Sequence, residues 1–125
     1  MRELVAVALG GVVGTALRLG IDTVIPHSDA AFPVSTLIIN LLGSFALGLL
    51  VARVWPTASS VTKAALGPGL LGSFTTFSAF AVSLVTLVDS DKVLVAVLYA
   101  AVTLLGGYVA AFAGLMLGRP RRVAA

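Results

Sequence analysis

The chain has 125 residues, 59% of them hydrophobic and 10% charged, against roughly 25% charged in an ordinary soluble domain. A formal net charge of +3 does not mark a nucleic-acid surface, because the basic residues sit at the ends of apolar runs and form no basic face interleaved with aromatics. With no cysteine and a single histidine, His27, the chain has neither a disulfide framework nor a thiolate metal site.

A helix needs ~20 mostly apolar residues to cross the hydrocarbon core, so this length predicts an all-α integral membrane protein of four spans in a single domain, residues 1–125. The first span is predicted from Leu4 to Ile25. Arg2 ahead of an apolar run also fits a signal peptide, but three further spans and the lack of a convincing cleavage site favour a retained helix. Asp22, Arg53 and Lys63 stand close to span ends, whereas Arg18 is the formal charge placed deepest inside a span. A charge there faces a water-filled vestibule or snorkels to the interface, and both readings stay open; either way its sign draws anions toward that mouth. Pro26, Ser28, Asp29 and Pro33 punctuate the connection to the second span.

That second span, Val34 to Val54, carries Asn40 at mid-length. An intramembrane amide either hydrogen-bonds a neighbouring helix or serves a pathway, where its two N–H donors suit an anion. Pro56, Thr57, Ser59 and Ser60 separate it from the third span, Val61 to Val88. There GPGLLG, Gly67 to Gly72, matches the dinucleotide pattern G-x-G-x-x-G, yet the pattern needs a strand before it and this one interrupts an apolar run. The glycines and Pro68 predict instead a discontinuous helix. Backbone groups freed by such a break are tolerated at membrane depth only where protein, water or an ion covers them, and broken helices mark ion sites in many transporters. The alternative is a kink capped by the hydroxyls of Ser73, Thr75 and Thr76.

Phe74, Phe77 and Phe80 follow at spacing three, a drifting stripe if the segment is helical, alternating with Thr75, Thr76 and Ser78. A Phe stripe is ordinarily core or lipid contact. Ring edges are electropositive, however, so rings turned edge-on together with hydroxyl donors can replace an anion's hydration shell. The fourth span is predicted from Val93 to Leu117, between Asp89, Ser90, Asp91, Lys92 and the closing Arg119, Pro120, Arg121, Arg122. Gly10 with Gly14, Ser44 with Gly48, and Gly114 with Gly118 have the small-xxx-small spacing of closely packed helices.

Arg2, Arg53, Lys63, Arg119, Arg121 and Arg122 fall on the side of the termini and Lys92 on the other, so both termini are predicted to be cytoplasmic. No carboxylate lies deep within a span, Asp22 standing three residues from the end of the first. That counts against a small drug exporter running on proton exchange, and the absence of any Ser/His/Asp, paired-acid or metal-ligand constellation counts against an enzyme. A non-transporting assembly protein, with Asn40 and the glycines as helix glue, is the other alternative.

Three motifs in order on successive spans then resemble the Fluc/CrcB fluoride channel family. GGVVGTALR (Gly10 to Arg18) is similar to its GG-x-x-GA-x-x-R, STLIINLLGSFALG (Ser35 to Gly48) to its GTL-x-x-N-x-x-GSF-x-x-G, and GLLGSFTTFSAF (Gly69 to Phe80) to its G-x-x-G-x-x-TTFSTF. The resemblance implies passive fluoride export through an antiparallel dimer of four-helix subunits, with the third helix broken at the interface. It implies an anion pathway at Asn40, Phe77 and Phe80, extended by Thr76 and Ser78 and by Tyr99 with Thr103 on the fourth span. It also implies a structural sodium ion held at the interface by the backbone carbonyls of Gly72 and Thr75. The sequence departs from the family pattern at Ser35 (Gly), Thr15 (Ala), Ala79 (Thr or Ser) and Ser83, where many members have Glu. With the lopsided Lys/Arg count, these departures leave the inverted partner open between a second copy and a homologous subunit.

Overall fold

The computed structural model describes residues 1–25 and 32–119. The proposed turn residues Pro26, Ser28 and Asp29, and the terminal Pro120, Arg121 and Arg122, lie outside the described residues. Helices α1 (Arg2–Val24), α2 (Val34–Arg53), α3 (Ser60–Ala64), α4 (Gly72–Phe74), α5 (Phe77–Asp89) and α6 (Val93–Gly118) follow one another, with a π-helical segment, Ala65–Leu71, between α3 and α4. Together they make four helical stretches long and apolar enough to cross a membrane, the third running over Ser60–Asp89. Each predicted span boundary lies within two residues of the observed one.

The first stretch presents Leu4, Leu9, Val12, Leu17 and Leu19 outward, as suits a lipid-facing helix, where inside and outside are equally apolar and packing is driven by close contact. Its glycines face the third stretch. A Cβ on Gly10 would collide with the Ala65 carbonyl, and one on Gly14 with the Leu70 carbonyl, so the two backbones touch and run parallel. The second and fourth stretches form a matching parallel pair. A Cβ on Gly48 would meet the Ala111 carbonyl, one on Gly114 the Phe45 carbonyl, and one on Gly118 would lie 2.7 Å from the Ala52 Cβ. The small-residue spacings are therefore packing seams, as their pattern predicts.

The third stretch is interrupted, but not at the glycines where the sequence placed the break. Pro68 has no N–H and its ring crowds the carbonyl four residues earlier; winding residues 65–71 as a π-helix relieves this, and the Gly72 N–H donates to the Gly67 carbonyl five residues back. The chain leaves the helix only at Thr75 (ψ 157°) and Thr76 (φ −146°, ψ 118°), both extended. This also corrects the Phe stripe: Phe74 precedes the break while Phe77 and Phe80 follow it on α5. At the far end, Asp91 takes φ 58°, which lets the Asp91 and Lys92 N–H groups reach the Val88 and Leu87 carbonyls (3.0 and 2.9 Å) and turns the chain into α6. The tightest core, Phe80, Leu87, Ala96 and Tyr99, lies between α5 and α6.

Candidate functional site

The break is held open by one side chain. Asn40 donates from Nδ2 to the Thr76 carbonyl (3.0 Å) and accepts from the Thr76 N–H at Oδ1 (2.9 Å), replacing on both sides the partners that a helix would have supplied. Beside it Thr75 folds back, its Oγ1 donating to the Leu71 carbonyl at 2.8 Å. Thr76 then caps α5 through its own hydroxyl, which accepts from the Ala79 N–H at 3.1 Å. Extended backbone at this point thus follows from Thr-Thr-Phe-Ser, an N-cap signature, set opposite an amide on α2.

The same bonds have an electrostatic result. In an unbroken helix the Gly72 carbonyl accepts from the Thr76 N–H, and the Thr75 carbonyl from the Ala79 N–H. Here both donors are diverted, to Asn40 Oδ1 and to Thr76 Oγ1. Gly72 is exposed, and a Cβ built on it meets nothing nearer than the Gly67 carbonyl at 3.8 Å, so its surroundings are open. The carbonyls of Gly72 and Thr75, the two that the resemblance singles out, thus lose the N–H donors four residues ahead of them.

A cavity of about 620 Å³ runs beside the break. Of the ten residues the sequence singled out, Asn40, Gly72, Thr75, Thr76, Phe77, Phe80 and Thr103 line it, and Ser78, Tyr99 and Arg18 do not. Phe77 is 77% exposed and Phe80 6%, with ring centroids 5.6 Å apart and planes tilted by 46°. One ring thus stands on the open face of the subunit while the other is anchored in its core. Tyr99 lies behind Phe80, centroids 5.4 Å apart, and meets Phe32 edge to face at 5.3 Å. It is wholly buried, and its hydroxyl sits among those of Ser83, Thr103 and Thr36. Among the described residues, the Tyr99 and Thr103 hydroxyls are buried without a neighbour in good hydrogen-bonding geometry. Ser78 is exposed and tied to the Thr76 hydroxyl at 3.2 Å, and Arg18 is half-buried on α1, away from the cavity.

Three residues of this region were not singled out as pathway groups. Thr36 stands four residues before Asn40 and hence on the same helical face, the signal that would have found it. Ser83 was noted only as a departure from the family. Trp55, which lines the cavity with Pro68, lies just past the predicted end of the second span, where a lone aromatic gives no signal of its own.

The fold and this site define a multi-pass membrane protein with a helix break opening on a largely apolar cavity that carries a few hydroxyl and amide groups in its wall. Residues 5–115 match the family described as CrcB-like protein, camphor resistance (CrcB), and the chain belongs to that family. It is similar to the fluoride-specific ion channel FluC of Hyphomonas neptunium, 40% identical over 123 residues that cover 95% of this chain and 97% of the relative. The FluC proteins of Allorhizobium ampelinum (41% identical, 95% and 98% covered) and Chloroflexus aurantiacus (38%, 95% and 97%) resemble it over the same extent.

Proposed function

We propose that this protein is a fluoride-selective channel, not an enzyme, that lets cytoplasmic fluoride leave the cell passively and so protects against fluoride toxicity. The observation that carries the reading is the cavity at the Thr75–Thr76 break, whose lining includes Asn40, Thr76, Phe77, Phe80 and Thr103. Donors and ring edges on such a wall replace water well around a small anion and poorly around a larger halide. Hydrogen fluoride crosses membranes neutral and dissociates in the more alkaline interior. An interior-negative potential then drives the anion outward with ~2.3 kcal/mol per charge per 100 mV, so an open path suffices.

Phe77, exposed on the cavity's open side, gains a counterpart when a second subunit closes that face, and an inverted partner would build two pathways. The Lys/Arg excess on the terminal side favours cytoplasmic termini, and the inverted partner is either a second copy or a homologous subunit. The carbonyls of Gly72 and Thr75 fit a structural sodium ion, which would neutralise their dipoles at the interface. The residues themselves keep the break: Asn40 saturates Thr76 and Thr76 caps α5.

Liposomes containing the purified protein, alone or with a co-expressed homologue and read with a fluoride electrode, should release fluoride and retain chloride. Phe77→Ile and Phe80→Ile should each abolish that efflux. Undiminished flux in both variants would refute the assignment of these rings, and absence of flux from wild type in either subunit composition would refute the channel.

A further inference from the structure

Trp55 is the chain's one tryptophan. It stands just past α2, where its backbone N–H donates to the Leu50 carbonyl at 2.9 Å and turns the residue back toward the π-helical segment. The indole lies against Gly67, near enough that a Cβ there would stand 3.4 Å from Cζ2. The ring and Pro68 belong to the wall of the same cavity that Asn40 and Thr76 line. Roughly 20 Å of α2 separates Asn40 from Trp55, so the indole marks the cavity's terminus-side mouth.

The Trp55 Nε1–H is buried and donates to nothing among the described residues. An indole nitrogen is a donor only, and a buried donor without an acceptor is costly enough that folded proteins rarely keep one. Its complement is therefore an acceptor entering the cavity. Exposed Arg53 and Lys63 flank this end of the bundle and raise the local potential, which favours an acceptor carrying negative charge. Thr57, Ser59 and Thr62, the nearby hydroxyls, are engaged with the Val54 carbonyl or with each other.

We propose that Trp55 is an anion-binding residue whose Nε1–H receives fluoride at the terminus-side mouth, ahead of Asn40, Phe77 and Phe80. The assignment rests on the fluoride-channel reading and adds to it a site that a lone aromatic at a span end does not announce.

Because the chain has a single indole, protein labelled with 15N-tryptophan gives one indole N–H resonance. Fluoride titrated into the purified protein in micelles should move that proton downfield and saturably, while equal chloride leaves it in place. Trp55→Phe keeps the ring against Gly67 and removes the donor; it should lower fluoride efflux from liposomes by about tenfold, the scale of one hydrogen bond to a charged group. A resonance that fluoride does not move overturns the proposal. Wild-type flux in Trp55→Phe beside a silent Phe80→Ile overturns it too, leaving the channel reading intact, whereas wild-type liposomes that release no fluoride remove the channel reading itself. Should the variant misassemble, the wild-type resonance decides.

Discussion

The parallel pair α2 and α6 and the interrupted third stretch solve opposite problems with the same small residues. Along α2 and α6, Gly48, Gly114 and Gly118 bring two regular helices so close that backbone meets backbone. Every peptide group there keeps its helical partner, so the seam is inert. In the third stretch Gly67, Gly69 and Gly72 flank Pro68 and let the winding loosen to a π-helix, and the chain then gives up helical bonding at Thr75 and Thr76. The lesson is that glycine spacing alone does not separate a seam from a site. What separates them is a side chain from another helix that takes over the freed backbone groups, and here that side chain is Asn40.

The sharpest way to break this contrast is Asn40→Leu. It leaves the Thr76 N–H and carbonyl without partners at depth, at a cost of about 1–3 kcal/mol for each buried group. Thermal unfolding in detergent should show the larger share of that loss, and fluoride flux should vanish with it. Next in size is Gly48→Leu, which forces a side chain into the Ala111 carbonyl. Overpacking of this kind costs about 1–3 kcal/mol and should lower the unfolding temperature while α5 and its ring pair stay intact. The smallest effect belongs to Thr76→Ala, which removes the N-cap of α5 for about 1 kcal/mol; Thr76→Ser should restore it, and a failure to do so would mean that the methyl group, not the cap, matters there.

Much of the fold was legible because membrane spans announce themselves by length and apolar content, and the loops by Pro, Ser and Asp. The pairing of α1 with the third stretch and of α2 with α6 was legible only as glycine spacing, since partners in lipid are chosen by shape and every span is equally apolar. The break was foreseen and misplaced by a few residues. Pro68 and the glycines advertise it, but the residue that fixes its position, Asn40, lies 36 positions upstream, and no local pattern encodes that distance. Most of the candidate site followed from motif order. Ser78 and Arg18 did not join the cavity because their positions on α5 and α1 turn elsewhere, which depends on helix rotation and not on spacing.

The parallel pairing also constrains how the protein is made. α1 and α2 share few contacts, whereas α1 packs along the third stretch and α2 along α6. The first hairpin to leave the ribosome therefore has almost nothing to hold it together, and its glycine faces wait for spans synthesised later. Insertion and assembly become separate events, each helix entering the bilayer on its own apolarity and finding its mate sideways once the next two crossings are complete.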